Sequence, residues 1–183
     1  MSEIARESRC VLFDWGDTLM RDFPEFSGPM ASWSHVEALP NVKEVLSELQ
    51  PQWTLALATN SIDSDETEIW KALDRAGLRS LLYKVFCFQT IGHSKPSPDF
   101  FDYIVKDLRL DRHRMVMVGD GFEKDVLGAN QSGIRGIWFN ESSAEVRTGK
   151  MHKTIFDFRS LPEALASFDI ESVTYDGREC GQQ

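Results

Sequence analysis

Several polar side chains in this chain of 183 residues stand where apolar runs end, and their types suit chemistry at a phosphoryl group. An aspartate can attack phosphorus, a threonine hydroxyl can donate a hydrogen bond to a phosphoryl oxygen, and a lysine can neutralise the charge that develops there. A further pair of aspartates can hold Mg²⁺, a hard cation that prefers oxygen ligands. In that order the candidates are Asp14, Thr59 with its neighbour Asn60, Lys95, and the pair Asp120 and Asp125.

The apolar runs have the composition of buried strands, and segments with helical spacing lie between them. The runs are Val11–Phe13, Leu55–Ala58, Val85–Phe88, Met115–Val118 and Ile137–Phe139. Alternating strands and helices predict an α/β fold with a mainly parallel sheet that is covered on both faces. Because ligands bind at the carboxyl ends of such strands, where the strand order switches, the candidate residues are expected to meet at that edge.

Local signals predict the starts of two helices. Ser97 followed by Pro98 is typical of an N-cap with proline in the first helical position. Ser160 and Glu163 have the spacing of a capping box, which predicts a last helix beginning there. The inward-facing residues expected for that helix are Leu161, Ala164, Leu165 and Phe168.

Length and charge limit the class of protein. The length predicts a single domain over residues 1–183, with an ordered core at about 8–170 and a polar, loose tail at 171–183. The formal net charge of −9 argues against nucleic acid as a partner, because a phosphate backbone requires a basic face.

The sequence favours neither a membrane nor a secreted location. Apolar runs are too short to span a bilayer, and Met1–Arg9 are polar and mixed in charge, unlike a secretory signal. Cys10, Cys87 and Cys180 lack metal-ligand spacing, so they are expected to be reduced thiols in a cytoplasmic protein.

Four motifs in order resemble the haloacid dehalogenase (HAD) superfamily over roughly residues 10–140. The motifs are Asp-x-x-x-Thr from Asp14, then Thr59, then Lys95-Pro96, then Gly-Asp-x-x-x-x-Asp from Gly119. The resemblance implies a Rossmann-like three-layer sandwich with strand order 5-4-1-2-3. It also implies a nucleophilic aspartate that forms an aspartyl-phosphate, with the phosphoryl group bound by threonine and lysine. The implied Mg²⁺ ligands are Asp14, the backbone carbonyl of Gly16, and Asp120, with Asp125 in support.

The chain departs from the family pattern at Gly16, where relatives that are phosphatases usually carry a second aspartate as general acid and base. General acid–base catalysis is typically worth about 10²–10⁴-fold in rate. Without it, activity is expected to favour leaving groups that need no proton, unless Asp17 or a carboxylate of a nearby loop substitutes. Asp17 also suits a turn or capping role, and Gly16 can equally reflect a requirement of the backbone.

The family's large cap domain is expected to be absent, because the intervals between motifs leave only about residues 20–40 as a loop-like insertion. This insertion is rich in aromatic residues and can either pack on itself over the site or contact a substrate. Capless members of the superfamily generally act on large substrates or borrow cover from another subunit. A phosphorylated substrate of open size and a homo-oligomer are therefore both compatible with the resemblance.

The sequence predicts a Mg²⁺-dependent phosphohydrolase that works through an aspartyl-phosphate. Three alternatives remain. A protein of the same fold can bind phosphate and Mg²⁺ for regulation without turnover, and the dehalogenase branch of the superfamily uses the same nucleophile. A two-component receiver domain also combines Asp, Thr and Lys around Mg²⁺, but its paired acids follow the first strand, which is the opposite of the order here.

Overall fold

The computed structural model describes residues 9–173, and the side chains of residues 9–168. Within this range six strands form one fully parallel sheet in the order β3-β2-β1-β4-β5-β6. The strands are β1 Cys10–Phe13, β2 Thr54–Thr59, β3 Lys84–Cys87, β4 Met115–Gly119, β5 Arg135–Phe139 and β6 His152–Ile155. The predicted α/β class and the order of the first five strands are confirmed.

The sixth strand, β6, was not predicted from the sequence. It pairs with β5 at the edge of the sheet, and of its residues His152, Lys153, Thr154 and Ile155 only the last is buried. A strand whose side chains are mostly polar and half-buried has no continuous apolar run, which was the signal used for the other five. The predicted third strand is one residue too long, because Phe88 begins a helix instead.

Helices cover both faces of the sheet. They are α1 Val42–Leu49, α2 Glu66–Arg75, α3 Phe88–Ile91, α4 Pro98–Leu108, α5 Gly128–Gln131 and α6 Leu161–Val173. A π-helical turn, Phe122–Leu127, leads directly into α5. Ser97 caps α4 as predicted, since its side chain accepts a hydrogen bond from the Asp99 N–H.

The start of the last helix differs from the prediction. Ser160 lies inside a 3₁₀ turn, Phe158–Ser160, and the side chain of Asp157 caps this turn by accepting from the Arg159 N–H. The capping box that the structure does show is at α2, where Asp65 and Glu68 bond each other's backbone N–H groups. The inward residues of α6 are confirmed, with Leu161, Leu165 and Phe168 buried. The tail predicted at 171–183 continues α6 up to Val173, and residues 174–183 lie outside the described part of the chain.

The side chains of β1 show how the core is divided into two layers. Val11 and Phe13 face a large cluster that includes buried residues of α1, α2 and α6. Cys10 and Leu12 face a second cluster built with α4. All four side chains are fully buried, which is typical of a central strand in a parallel sheet covered on both faces. Burial raises the pKa of the Cys10 thiol to about 12, so this cysteine is a core residue rather than a reactive one.

The insertion at residues 20–40 has little regular structure and no helical domain. It contains one 3₁₀ turn, Met30–Ser32, and its ends are joined where Met20 bridges both Gly16 and Ala38. Its aromatic side chains pack on one another, with centroid distances of 5.4–6.5 Å. The contacts involve Phe23, Phe26, Trp33 and His35.

None of the helices in the described part of the chain has the length and apolar character required to cross a membrane.

Candidate functional site

The topology places the predicted site residues at one edge of the sheet. The chain leaves β1 toward β2 and β3 on one side and returns to β4 on the other, so the strand order switches between β1 and β4. At that point the Asp14 N–H donates to the Val118 carbonyl at 2.9 Å, which holds the end of β1 against β4. A cavity of about 300 Å³ opens there and is lined by Asp14, Thr59, Asn60, Asp120 and others.

Asp14 is buried and forms two short ion pairs. Its Oδ1 lies 2.8 Å from Nζ of Lys95, and its Oδ2 lies 2.8 Å from Nζ of Lys124. Burial favours the neutral acid, but the two ammonium groups outweigh it and hold the pKa of Asp14 below its ordinary value. The side chain is therefore a carboxylate near neutral pH, which is the state that a nucleophile requires.

Lys95 is fully buried, and the three donors of its ammonium are all directed at oxygen atoms. They are Oδ1 of Asp14 at 2.8 Å, Oδ1 of Asp125 at 2.7 Å and the Ala58 carbonyl at 2.6 Å. The contacts with Asp14 and Ala58 are hydrogen bonds, and the contact with Asp125 is an ion pair. A buried charge requires such compensation, and Lys95 consequently ties the end of β2 to both aspartates.

Asn60 holds the backbone of Lys95 rather than projecting a free amide. Its Nδ2 donates to the Lys95 carbonyl at 2.9 Å, and its Oδ1 accepts from the Lys95 N–H at 2.8 Å. The geometry therefore gives Asn60 a positioning contact, and its predicted contact with substrate stays a prediction. Thr59 lines the cavity, and its hydroxyl oxygen accepts from the Ser61 N–H at 3.1 Å, so the hydroxyl hydrogen can still be donated.

Three carboxylates form the candidate metal site. Oxygen atoms of Asp14, Asp120 and Asp125 all lie within 4.8 Å of one another. Oδ1 of Asp120 is buried and accepts no hydrogen bond from the residues that the structure describes. Its one ion-pair contact among the described residues is with the Lys124 ammonium at 3.5 Å. Buried polar atoms normally have a hydrogen-bond partner, so this carboxylate oxygen beside two further carboxylates fits a hard cation such as Mg²⁺.

The loop after β4 holds this acidic cluster in place. The Asp120 N–H donates to the Thr18 hydroxyl at 3.0 Å, and the Gly121 N–H donates to Oδ2 of Asp125 at 3.0 Å. A side chain at position 119 would collide with the Asp125 carboxylate, so the close approach requires Gly119. The π-helical turn thus places the Asp125 side chain inward, where it is fully buried.

Burial affects the protonation of both acids. It raises the pKa of Asp125 to about 6, although Lys95 opposes the shift, and it also raises the pKa of Asp120. The negative charge of Asp14 adds to the shift in both cases. A divalent cation in the cluster would relieve this crowding of negative charge.

Lys124 belongs to the site but was missed from the sequence. Its Nζ lies 2.8 Å from Oδ2 of Asp14, 3.5 Å from Oδ1 of Asp120 and 3.9 Å from Oδ2 of Asp125. Despite partial burial, the charges of Asp14 and Asp125 raise the pKa of Lys124, so it remains an ammonium. The usable signal was its position, four residues after Asp120 and directly before Asp125, in the loop and turn that carry both acids.

The backbone around Gly16 resolves one alternative left open by the sequence. The left-handed conformation is at Asp17, with φ of 51°, and Gly16 is not among the residues with positive φ. A Cβ at position 16 would meet its nearest neighbour, Oδ2 of Asp22, at 3.4 Å, which is ordinary contact. Neither the backbone nor crowding at Cβ therefore requires glycine at 16. Oδ1 of Asp17 accepts from the Asp22 N–H at 3.1 Å, which is a turn-stabilising role.

The insertion contributes to the cavity as well as packing on itself. Met30 and Trp33 line the cavity together with Asp14 and Thr59. The indole N–H of Trp33 donates to the Gly28 carbonyl at 3.1 Å, which fixes the ring. The loop thus packs on itself over the site, and the alternative that it contacts a substrate stays a prediction, which its place at the cavity allows.

Curated proteins similar to this chain include phosphatases and nucleotidases. A pyrimidine 5′-nucleotidase of Escherichia coli (strain K12) is 29% identical over 112 residues, which is 61% of this chain and 48% of that protein. A ribulose-1,5-bisphosphate 5-phosphatase of Halopiger xanaduensis is 32% identical over 117 residues, with the same two coverages. The chain spans about half the length of these relatives.

Solved structures show the same fold. A protein from Listeria monocytogenes serotype 4b matches with a TM-score of 0.76 and 25% identity over 88% of this chain and 99% of that one. A magnesium-bound protein of Bacillus subtilis matches with a TM-score of 0.69 and 15% identity over 87% and 99%. A model of the haloacid dehalogenase-like hydrolase family matches residues 14–139, which is well over half of the chain. The chain belongs to the family of haloacid dehalogenase-like hydrolases.

Proposed function

We propose that this protein is a Mg²⁺-dependent phosphohydrolase that transfers the phosphoryl group of its substrate to Asp14 and then to water. The observation that carries the proposal is the Asp14 carboxylate itself. It lies at the carboxyl end of the central strand, is ionised, and borders a cavity that Thr59, Asp120 and Lys124 also line, while Lys95 and Asp125 contact one another behind it.

In the first half-reaction a carboxylate oxygen of Asp14 forms a bond to phosphorus while the bond from phosphorus to the leaving oxygen breaks. The leaving group takes the electron pair of the broken bond. Thr59 would bind a phosphoryl oxygen, and the charges of Lys95, buried behind Asp14, and of Lys124, which lines the cavity, would stabilise the charge that develops there. In the second half-reaction water attacks the phosphorus, the bond to Asp14 breaks, and inorganic phosphate leaves.

Mg²⁺ would be held by the carboxylates of Asp14, Asp120 and Asp125 and by the backbone carbonyl of Gly16. The cation would neutralise the oxygens of the transferring phosphoryl group. Oδ1 of Asp120, which is buried and accepts no hydrogen bond from the described residues, supports this assignment. The fold shared with the magnesium-bound protein of Bacillus subtilis supports it as well.

The substrate class is a phosphate monoester or an acyl phosphate. The relatives named as phosphatases and nucleotidases support the former. Acyl and aryl phosphates are the best first substrates, because their leaving groups depart without a proton and are least affected by the glycine at position 16.

The test is hydrolysis of p-nitrophenyl phosphate and acetyl phosphate with Mg²⁺ or with EDTA, using Asp14→Asn as the control. We expect turnover that requires Mg²⁺ and disappears in Asp14→Asn. Trapping a phosphorylated protein in the wild type but not in Asp14→Asn would support the intermediate. Turnover that survives Asp14→Asn would refute the assignment of the nucleophile.

A second candidate is a binding protein that uses the same site without turnover. The observation in its favour is that both oxygens of Asp14 are already ion-paired, with no space between them and the two lysines. This candidate predicts no hydrolysis of either substrate, but Mg²⁺-dependent thermal stabilisation by beryllofluoride, which mimics a phosphoryl group.

A further inference from the structure

The carboxylate of Asp22 occupies the space beside Gly16. A Cβ placed on Gly16 would have Asp22 as its nearest neighbour, with Oδ2 at 3.4 Å, Cβ at 3.5 Å and Cγ at 3.6 Å. A longer side chain at position 16 would thus extend into the volume that the Asp22 carboxyl group fills. The side chain that is absent from position 16 is replaced in space by one that comes from six residues later in the chain.

Contacts on both sides hold Asp22 in this position. Its own N–H donates to Oδ1 of Asp17 at 3.1 Å, and the preceding Arg21 N–H donates to the Glu37 carbonyl at 3.1 Å. The following residue, Phe23, packs against Phe26, Trp33 and His35. Asp22 therefore lies between a residue whose backbone is hydrogen-bonded, Arg21, and a residue packed in the aromatic cluster, Phe23. This limits the positions open to its carboxyl group.

Asp22 faces the same cavity as the nucleophile. It lines this cavity together with Asp14, Thr59, Asp120 and Lys124, and the residue as a whole is exposed to solvent. Asp17 also lines the cavity, but its Oδ1 is engaged by the Asp22 N–H and lies 3.7 Å from the guanidinium of Arg21.

We infer that Asp22 is the general acid and base of the reaction at Asp14, supplying from the insertion the carboxyl group that position 16 lacks. This inference rests on the proposed phosphohydrolase function. In the first half-reaction the proton of the Asp22 carboxyl group moves to the leaving oxygen as the bond from phosphorus to that oxygen breaks, so an alcohol departs and Asp22 becomes a carboxylate. In the second, Asp22 takes a proton from the attacking water as oxygen bonds to phosphorus and the bond to Asp14 breaks.

The test compares two substrates that differ in their need for a proton. Asp22→Asn is expected to lower kcat/KM for an alkyl phosphate, such as glycerol 2-phosphate, by about 10²–10³-fold. For acetyl phosphate, which needs no proton on its leaving group, the first half-reaction and kcat/KM should stay within a few-fold of wild type. Glu25→Gln, an exposed acid of the same insertion that does not line the cavity, is the matched control and should leave both substrates unaffected.

A rescue experiment separates catalysis from a structural role. Combining Gly16→Asp with Asp22→Ala clears the volume beside position 16 and provides a carboxylate there, so activity on the alkyl phosphate should recover by at least tenfold relative to Asp22→Ala alone. If Asp22 had only a structural role, its replacement would lower kcat/KM for both substrates equally, and Gly16→Asp would not restore activity. An equal loss, no loss, or a leaving-group-dependent loss in Asp17→Asn instead would overturn the inference.

The outcomes also distinguish the inference from the function on which it rests. If the wild type hydrolyses neither substrate with Mg²⁺, the phosphohydrolase proposal fails and the inference fails with it. If the wild type hydrolyses both in an Asp14-dependent manner and Asp22→Asn does the same, the function stands and the role of Asp22 is refuted.

Discussion

Lys124 places its ammonium 2.8 Å from Oδ2 of Asp14, within the group of carboxylates that forms the candidate metal site. The same ammonium lies 3.5 Å from Asp120 and 3.9 Å from Asp125. A tethered cation thus stands among the oxygen atoms that a divalent cation would bind. Because two cations cannot share those oxygens at such short range, Lys124 and Mg²⁺ are expected to compete.

The first prediction concerns this competition. Replacing Lys124 with glutamine removes the competing charge, so Mg²⁺ should bind about tenfold more tightly, a difference of about 1.4 kcal/mol. Isothermal titration of the protein with MgCl₂ measures the change directly. Lys106→Gln, on the exposed face of α4, changes the net charge equally and should leave the Mg²⁺ affinity unaltered. Weaker Mg²⁺ binding by Lys124→Gln would show that the lysine supports the metal instead.

The second prediction concerns stability. Lys95→Met leaves the carboxylates of Asp14 and Asp125 without their shared buried partner. Removing one member of a buried ion pair typically costs about 3–5 kcal/mol in the free energy of unfolding. Urea denaturation measures this cost, and the comparison is Lys84→Met, which breaks the partly exposed pair with Asp107 and should cost less than about 1 kcal/mol. Similar losses for the two variants would contradict the structure.

The third prediction concerns pH in the absence of metal. The pKa of Asp125 is raised in the folded protein to about 6, from an ordinary value of 3.8. Between these values the folded state binds a proton that the unfolded state has released, so stability falls as pH rises through this window. In EDTA the wild type should therefore lose stability relative to Asp125→Asn as pH increases from about 4 to 6, and the difference should level off above that.

Thermal unfolding of both proteins across this range measures the difference, because the titrations that they share cancel. Added Mg²⁺ should reverse the trend in the wild type, since metal binding requires deprotonated ligands and strengthens as pH rises. A difference between the proteins that does not change with pH would show that Asp125 titrates normally.

The fourth prediction concerns the insertion. Trp33 lines the cavity, whereas Phe26 packs on Trp33 but does not line it. Trp33→Ala should raise KM for p-nitrophenyl phosphate by about two- to tenfold, because an aromatic contact is worth about 0.5–1.5 kcal/mol. Phe26→Leu should lower the melting temperature slightly with little change in KM. Steady-state kinetics and thermal unfolding of the two variants separate the roles, and equal KM values would assign Trp33 to packing alone.

The sequence was sufficient to predict most of the fold because the first five strands are buried on both faces and read as apolar runs. The edge strand β6 escaped detection because three of its four side chains are only half-buried. The spacing of Ser160 and Glu163 predicts an N-cap at Ser160. In the structure the Asp157 side chain accepts the Arg159 N–H instead and caps the 3₁₀ turn that contains Ser160. The spacing of residues alone does not reveal which of two possible N-cap residues, Asp157 or Ser160, caps the segment.

The candidate site was predictable where a residue type follows a strand end, as for Asp14, Thr59 and Asp120. The site was not predictable where a residue joins it through a contact that no local sequence pattern encodes. Lys124 contacts Asp14 across 110 residues of sequence, and the position of its side chain depends on the π-helical turn to which it belongs. Asp22 lies beside Gly16 only because Met20 pairs with both Gly16 and Ala38, and no local pattern encodes that pairing.

The location of β1 in the sheet gives the two halves of the proposed machinery different local stabilities. β1 is bonded to β2 on one side and β4 on the other, so its amide hydrogens exchange with solvent only when the sheet itself comes apart. Asp14 is anchored to this slow-exchanging backbone. Asp22 belongs to the insertion, which is held by isolated backbone hydrogen bonds such as those from Arg21 to Glu37 and from Leu39 to Leu19. The amide hydrogens around Asp22 are therefore expected to exchange faster than those of β1, although the buried Met20 and Met30 tie the segment to the main core cluster.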